Sequence, residues 1–231
     1  MNKKKRLMVV FLAFCLATLG GGRDIYVATN GPNTGDPLYG TWADASSNLE
    51  WAVNAAAHSD NDIIWISNGV YVITNQIIVS NKYITISGVS PDDRPVVDAS
   101  DSNRCFFFIN MTGVFENIFV TRGRMNAVNG GGVRVQSCMM TIRNCIFSNN
   151  VITNAGDMYG GGMHLVTSTT TVQRCTFVGN KVVNANDEGN GRGGGLSIYS
   201  AGYTTLVDHC LFYTNTANLG GGLYDVSTLL S

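Results

Sequence analysis

Apolar and polar residues alternate along this chain in short runs, and the runs repeat. In Cys145-Ile146-Phe147-Ser148-Asn149-Asn150 the cysteine and phenylalanine are two apart, so both face one side of an extended strand. The phrase returns as Cys175-Thr176-Phe177-Val178-Gly179-Asn180 and as Cys210-Leu211-Phe212-Tyr213-Thr214-Asn215. Cysteine and phenylalanine favour burial. Asparagine tolerates left-handed backbone and bonds nearby backbone groups, so Asn150, Asn180 and Asn215 suit corners at the strand ends. Between these phrases stand glycine triplets starting at Gly130, Gly160, Gly193 and Gly220, which also read as corners. Each triplet leads into a strand-like run: Val133-Arg134-Val135, Met163-His164-Leu165-Val166 and Leu196-Ser197-Ile198-Tyr199. No repeat holds an apolar stripe of helical period, so each is strands and turns.

A unit of this kind cannot bury its own inner face. Stacking neighbours at about 4.8 Å buries it and places equivalent residues in columns. The expected columns are Cys145, Cys175 and Cys210; Phe147, Phe177 and Phe212; and Asn150, Asn180 and Asn215. Each buried phenylalanine contributes roughly 1.5–3 kcal/mol. The predicted fold is an all-β, right-handed parallel β-helix of five or six coils. The leucine, WD and kelch signatures of other repeat folds are missing.

Upstream, Ile25-Tyr26-Val27 reads as a strand. Ser47 and Glu50 form a capping box, and Leu49, Ala52, Val53 and Ala56 share one face of a short amphipathic helix. A helix here would cap the open end of the solenoid. Asp62, Ile64, Ile66, Gly69 and Tyr71 read as strand, turn, strand, and further strands follow at residues 77–79, 83–88, 96–98 and 105–109. Residues 115–122 form a degenerate repeat in which Asn117 takes the cysteine place and Arg122 the corner place. The division expected is residues 1–22 as a leader, 23–60 as a cap and 61–231 as coils. The last triplet, at Gly220, has no partner phrase, and the reading is of a truncated C-terminal end.

Glycine-glycine-apolar alternating with Phe-x-x-Asn resembles the repeats of the polymorphic outer-membrane protein family, bacterial surface β-helix proteins. The matching pieces are Gly131-Gly132-Val133 with Phe147 and Asn150, Gly161-Gly162-Met163 with Phe177 and Asn180, and Gly194-Gly195-Leu196 with Phe212 and Asn215. Gly221-Gly222-Leu223 begins a fourth. The resemblance covers the C-terminal half and implies a β-helix displayed at a cell surface. The strand, capping helix and first coil likewise resemble the opening of many secreted β-helix proteins.

Lys3, Lys4, Lys5 and Arg6 precede an apolar run over residues 7–19 and then Gly20-Gly21-Gly22, the layout of a secretory signal peptide. Cys15 suggests a lipoprotein site, but Phe14 before it argues against that. Nothing in the mature chain is apolar enough to be transmembrane. Net charge is −1 with no basic stripe, which argues against a nucleic-acid partner.

Five cysteines remain after the leader, so at least one is unpaired, and their spacing fits no zinc motif. Cys138 and Cys145 are the pair to check for a bond. Trp42, Trp51 and Trp65 are expected in the core of the capping region, and His58 and His164 on the outside. No cofactor is predicted; the one loop with oxygen ligands suited to Ca²⁺ carries Asn33 and Asp36.

Enzymatic β-helices need clustered acids or an acid with a Lys or Arg base. The residues before each cysteine read Glu116, Asn144, Arg174 and His209, beside Arg143, Gln173 and Asp208. Asp208, Arg174 and His209 are the weak catalytic candidates, and a solvated wall is the favoured reading for them. Asp187 and Glu188 read as surface charge in a Gly/Asn loop. The variable segments, residues 151–159, 181–192 and 216–219, should emerge from one edge, where per-repeat insertions often make a binding face. The expectation is an exported, non-enzymatic, adhesin-like or glycan-binding passenger meeting a cell-surface glycan or a neighbouring surface. The alternative is a β-helix lyase or glycoside hydrolase, or a fragment of one.

Overall fold

The structure is a computed structural model that describes residues 21–32, 39–58, 61–126, 128–154, 156–184 and 190–226. Residues 1–20 of the leader, the Asn33–Asp36 loop, and Asp187 with Glu188 lie outside the described residues.

The chain winds into a parallel β-solenoid of about five turns with three faces. The first face stacks Asp24–Val27, Asp62–Ile66, Tyr83–Gly88, Thr112–Glu116, Met139–Arg143, Thr169–Gln173 and Thr205–Asp208. The second stacks Val70–Val72, Val96–Asp98, Phe119–Thr121, Ile146–Ser148, Thr176–Val178 and Leu211–Tyr213. The third stacks Ile77–Ser80, Phe106–Ile109, Val133–Gln136, Met163–Val166, Leu196–Tyr199 and Leu223–Asp225. All pairings between neighbouring coils are parallel, and alternate side chains enter one continuous core.

Within the second face Phe147 stacks on Phe177 at 4.9 Å and Phe177 on Phe212 at 4.8 Å between ring centroids. Beside them the asparagine amides form a ladder. Asn180 Oδ1 accepts from Asn150 N (3.0 Å) and Nδ2 (2.9 Å), while Asn180 Nδ2 donates to Phe147 O (2.8 Å) and Asn215 Oδ1 (2.9 Å). Both lone-pair sites and both amide hydrogens are used, so the fully buried side chain carries no unmet group.

The left-handed backbone falls one residue earlier than the sequence predicts. Asn149, Gly179 and Thr214 have φ between 53° and 64°, whereas the ladder asparagines work through their amides. A second left-handed column separates the first and second faces: Asn117, Asn144, Arg174 and His209, φ 49° to 58°.

That column corrects the degenerate repeat. Ile146 pairs with Phe119 and Phe147 with Val120, so Ile118, not Asn117, takes the cysteine place. Gly123 donates its N–H to Asn150 Oδ1 at 2.8 Å, so Gly123, not Arg122, takes the corner place. Ile118 is fully buried, as a core position requires. Glu116 accordingly stands in the column of Arg143, Gln173 and Asp208.

The helix spans Leu49–Ala55, with Leu49, Ala52 and Val53 buried in the common core. Its N-cap is Asn48, whose side chain accepts from Trp51 N at 3.1 Å, not Ser47. Asp62 is buried beneath it and accepts from Arg23 N (2.7 Å) and Ala57 N (2.8 Å), which ties the start of the first strand to the cap. The tryptophans are not core residues. Trp42 and Trp51 are about half exposed, with Trp42 lying 4.6 Å from Tyr26 between ring centroids, and Trp65 is half-buried with its indole N–H on Asp24 (2.8 Å).

Candidate functional site

The variable segments leave the solenoid at one edge and fold there. Arg124–Asn126, Val151–Asn154 and Lys181–Asn184 pair as a parallel three-stranded sheet, and Met158–Tyr159 pairs with Gly191–Arg192. Thr216 and Leu219 extend both by single bridges. Ile152, Met158 and Val182, with Ala217 against them, give this side lobe its own small core.

The lobe places Tyr159 and Arg192 against the outer surface of the third face. Register there sets Phe107, Arg134, His164, Ser197 and Tyr224 side by side in one outward column. The chain enters the strands of Arg134, His164, Ser197 and Tyr224 through a tight left-handed glycine, whereas Arg104 and Cys105 lead into the strand of Phe107. Gly160 has φ 72°, and a Cβ on it would lie 2.1 Å from Met163 O. Gly130 has φ 78°, and a Cβ there would lie 3.0 Å from the Cβ of Arg134. No side chain fits at these corners, so the outward residues of the strands emerge beside bare backbone.

Arg104 and Arg134 flank the Phe107 ring, each guanidinium 5.4 Å from its centroid. Arg104 is buried and donates to Gly130 O (2.6 Å), Asn129 O (2.6 Å) and Gln76 Oε1 (3.2 Å). Arg134 donates to Gln136 Oε1 (2.8 Å). Neither meets a carboxylate among the described residues. His164 was expected on the exposed wall but is only 3% exposed. Its ring lies 5.6 Å from Tyr159, which covers it from the lobe. Arg192 donates to Tyr159 Oη (2.7 Å), pairs with Asp157 (3.2 Å) and lies 5.3 Å from the Tyr159 ring centroid.

The electrostatics follow from burial without counter-charge. Burial, then the positive charge of Arg134, pulls Arg104 down to about 10. Burial likewise lowers Arg134. His164 is pushed down to about 3 by burial, then by Arg134 and Arg104, against a smaller upward pull from a hydrogen bond with the Ser197 backbone. At neutral pH its imidazole is therefore neutral beside two guanidinium ions.

The catalytic candidates occupy a different place. Arg174 and His209 sit at left-handed corners with their side chains in solvent, His209 being 78% exposed. Asp208 accepts from Gln173 Nε2 (3.0 Å) and meets His209 Nδ1 at 2.5 Å. The Gln173 hydrogen bond, with His209 and Arg174 nearby, holds the Asp208 carboxyl below its ordinary range. One coil set away, Arg143 pairs with Glu116. Among the described residues no group of three His, Cys, Asp or Glu converges. The outer surface of the first face is instead a shallow groove lined by Tyr83, Thr85, Thr112, Thr141, Thr169 and Thr171.

Cys105, Cys138, Cys145, Cys175 and Cys210 are free thiols, so Cys138 and Cys145 are not bonded to each other. Burial pushes Cys105 up to about 12 and also raises Cys138. Buried thiols of raised pKa are poor nucleophiles. His58 is exposed.

Sequence reasoning missed Arg104, Arg134, Tyr159 and Arg192. A signal for part of this was present: the second residue after each triplet reads Arg134, His164, Ser197 and Tyr224, one outward column. Comparison with protein-family models, curated proteins and solved structures found no match.

Proposed function

We propose that this chain is an exported β-helix protein that acts by binding, as an adhesin-like or glycan-binding passenger at a cell surface. The observation that carries the reading is the ordered side lobe. Three consecutive repeats spend their inserted residues on one edge, and these bring Tyr159 and Arg192 against a column of Phe107, Arg134, His164 and Tyr224. Aromatic rings that stack on a sugar and guanidinium groups that donate to its oxygens are the chemistry of carbohydrate contact. The basic and apolar layout of residues 1–19 supports export, and the in-phase glycine and Phe-x-x-Asn repeats support kinship with polymorphic outer-membrane repeats. Among the described residues no helix is long and apolar enough to cross a membrane.

A carbohydrate-active enzyme is the second reading, and Asp208 against His209 beside Arg174 favours it. Those groups are solvated at a corner beside a threonine-rich groove, and Glu116, the other acid of that column, is paired with Arg143.

The test is a glycan array and a cell-binding assay with the purified chain. Saturable binding without release of sugar fragments supports the passenger reading; turnover abolished by Asp208→Asn supports the enzyme. For export, residues 1–22 fused to a reporter active only outside the cytoplasm should give activity, and Lys3, Lys4, Lys5 and Arg6 all changed to Glu should remove it.

A further inference from the structure

We propose that the outer surface of the third face, from Phe107 to Ser197, binds a singly charged oxyanion carried on a sugar ring, gripped by Arg134 and flanked by His164 and Tyr159. This deepens the glycan-binding reading and rests on it.

Unmet polarity marks the place. Six buried side-chain polar atoms among the described residues lack a hydrogen-bond partner, and four belong to this surface: Arg134 Nε, His164 Nδ1, Ser197 Oγ and Arg192 Nε. His164 and Ser197 are themselves at most 3% exposed. A buried polar atom without a partner is costly, and natural folds retain few of them. The other two, Thr170 and Thr205 Oγ1, are paired neighbours on the first face and carry no charge.

Charge gives the sign of the ligand. Arg104 and Arg134 share the Phe107 ring and meet no carboxylate among the described residues, so a cation is repelled and an anion relieves the uncompensated charge. Arg104 is buried and three of its five N–H groups already serve Gly130, Asn129 and Gln76, so it contributes charge rather than an open fork. Arg134 has a single hydrogen bond, to Gln136, which leaves most of its guanidinium fork for a planar carboxylate or one edge of a sulfate. One available guanidinium matches one negative charge.

The remaining groups point to a sugar. His164 is neutral, so its Nδ1 exchanges one hydrogen bond with a hydroxyl and adds no charge. Ser197, next in the column, offers a hydroxyl partner. Phe107 and Tyr159 are half-buried and present ring surface to the apolar side of a pyranose. Arg134, Tyr159 and Arg192 are partly open to solvent, and His164 lies beneath Tyr159.

The chain has three histidines, so ring signals of His58, His164 and His209 can be followed individually by NMR in the full-length protein. The probes are glucuronate, glucose 6-sulfate and glucose, with the wild type at neutral pH. We expect one or both acids to shift the His164 ring saturably while His58 and His209 stay still, and glucose to leave all three unchanged. The acid that saturates at the lower concentration tells carboxylate from sulfate. Arg134→Gln should weaken the response at least ten-fold, and Arg134→Lys, which keeps the charge but not the fork, should weaken it less. Arg143→Gln, exposed on the first face, should have no effect. A silent His164 with both acids, an equal response to glucose, or an unchanged response in a folded Arg134→Gln protein would overturn the proposal. Neutral glycans bound on an array with His164 silent would sink the anion site and leave glycan binding standing. An acid-induced shift at His164 without binding to any arrayed glycan or cell would do the reverse.

Discussion

Asn180 in the second face and His164 on the outside of the third are both almost wholly buried, yet the structure treats them in opposite ways. The Asn180 amide meets Asn150, Phe147 and Asn215 with all its hydrogen-bonding capacity used. The His164 Nδ1 meets nothing, and its neighbours Arg134 and Ser197 also carry buried atoms without partners. The same ladder of parallel strands supports both. The difference is that the asparagine column repeats a residue type whose amide both donates and accepts, so each rung completes the next. The outer column changes type at every rung, from Phe107 to Arg134, His164, Ser197 and Tyr224, and cannot complete itself. Polar groups that repeat in kind down a column are satisfied from within, and the outer column of changing type leaves buried atoms of Arg134, His164 and Ser197 without partners.

The contrast can be broken at several points. Phe177→Ala, in the middle of the aromatic stack, should cost about 3–5 kcal/mol of stability, read from denaturant unfolding. Asn180→Ala leaves Asn150 N–H and Phe147 C=O without partners, at roughly 1–3 kcal/mol for each group. A loss below 1 kcal/mol there would show that water can replace the ladder.

The His164 prediction depends on pH. Its pKa falls from 6.5 to about 3 on folding, so the unfolded chain takes up the proton first. The contribution is intact above pH 6.5 and declines as the pH falls towards 3. Between pH 7 and pH 5 the loss is about 2 kcal/mol. His164→Gln should remove that slope. Arg134 and Arg104 face the ring and keep their charge throughout this window, and the depressed carboxyl of Asp208 changes only in more acidic solution.

Arg134→Leu should go the other way, leaving stability unchanged or raising it by up to about 1 kcal/mol, because it removes a half-buried cation without an ionic partner. A large loss would place Arg134 among the fold-specifying residues instead. Asp208→Asn, at a solvated corner, should change stability by less than about 0.5 kcal/mol.

Much of the solenoid was legible because its inner positions obey a period of two. The strands Met163–Val166 and Leu196–Tyr199 fall where the residues after the triplets place them. The degenerate coil was misread by one residue because Phe119 was set in the phenylalanine place, which Val120 fills, and this put Asn117 in the cysteine place and Arg122 in the corner place. They are left-handed, but they precede the cysteine and asparagine places, which Ile118 and Gly123 fill. A chemical match at one position outweighed the burial of Ile118. The tryptophans were misplaced for a related reason: size suggested the core, while their ring systems lie along the surface of the cap, with Trp65 using its N–H on Asp24.

The site was less legible than the fold. His164 alternates with buried Met163 and Leu165, which correctly places it outside the coil. What buries it is Tyr159, delivered by an insertion that pairs with Gly191–Arg192 in the next repeat. Strand periodicity reports which way a side chain leaves its own coil. It carries no information about what another segment lays over it.

The asparagine ladder also sets the unit in which this molecule can change length. One step spans 30 residues and the next 35, yet both close with the same 2.9 Å bond. The extra residues are taken up between Asn180 and Gly193 and in the turn at 200–203, away from every inward column. Small insertions are thus taken up in the lobe or in a turn between faces, and the inward columns keep their register. Lengthening the axis requires a whole coil, brought in complete with its own phenylalanine, asparagine and glycines. The shape of the flank and the length of the axis are therefore inherited through separate kinds of mutation, a few codons for the one and a duplicated repeat for the other.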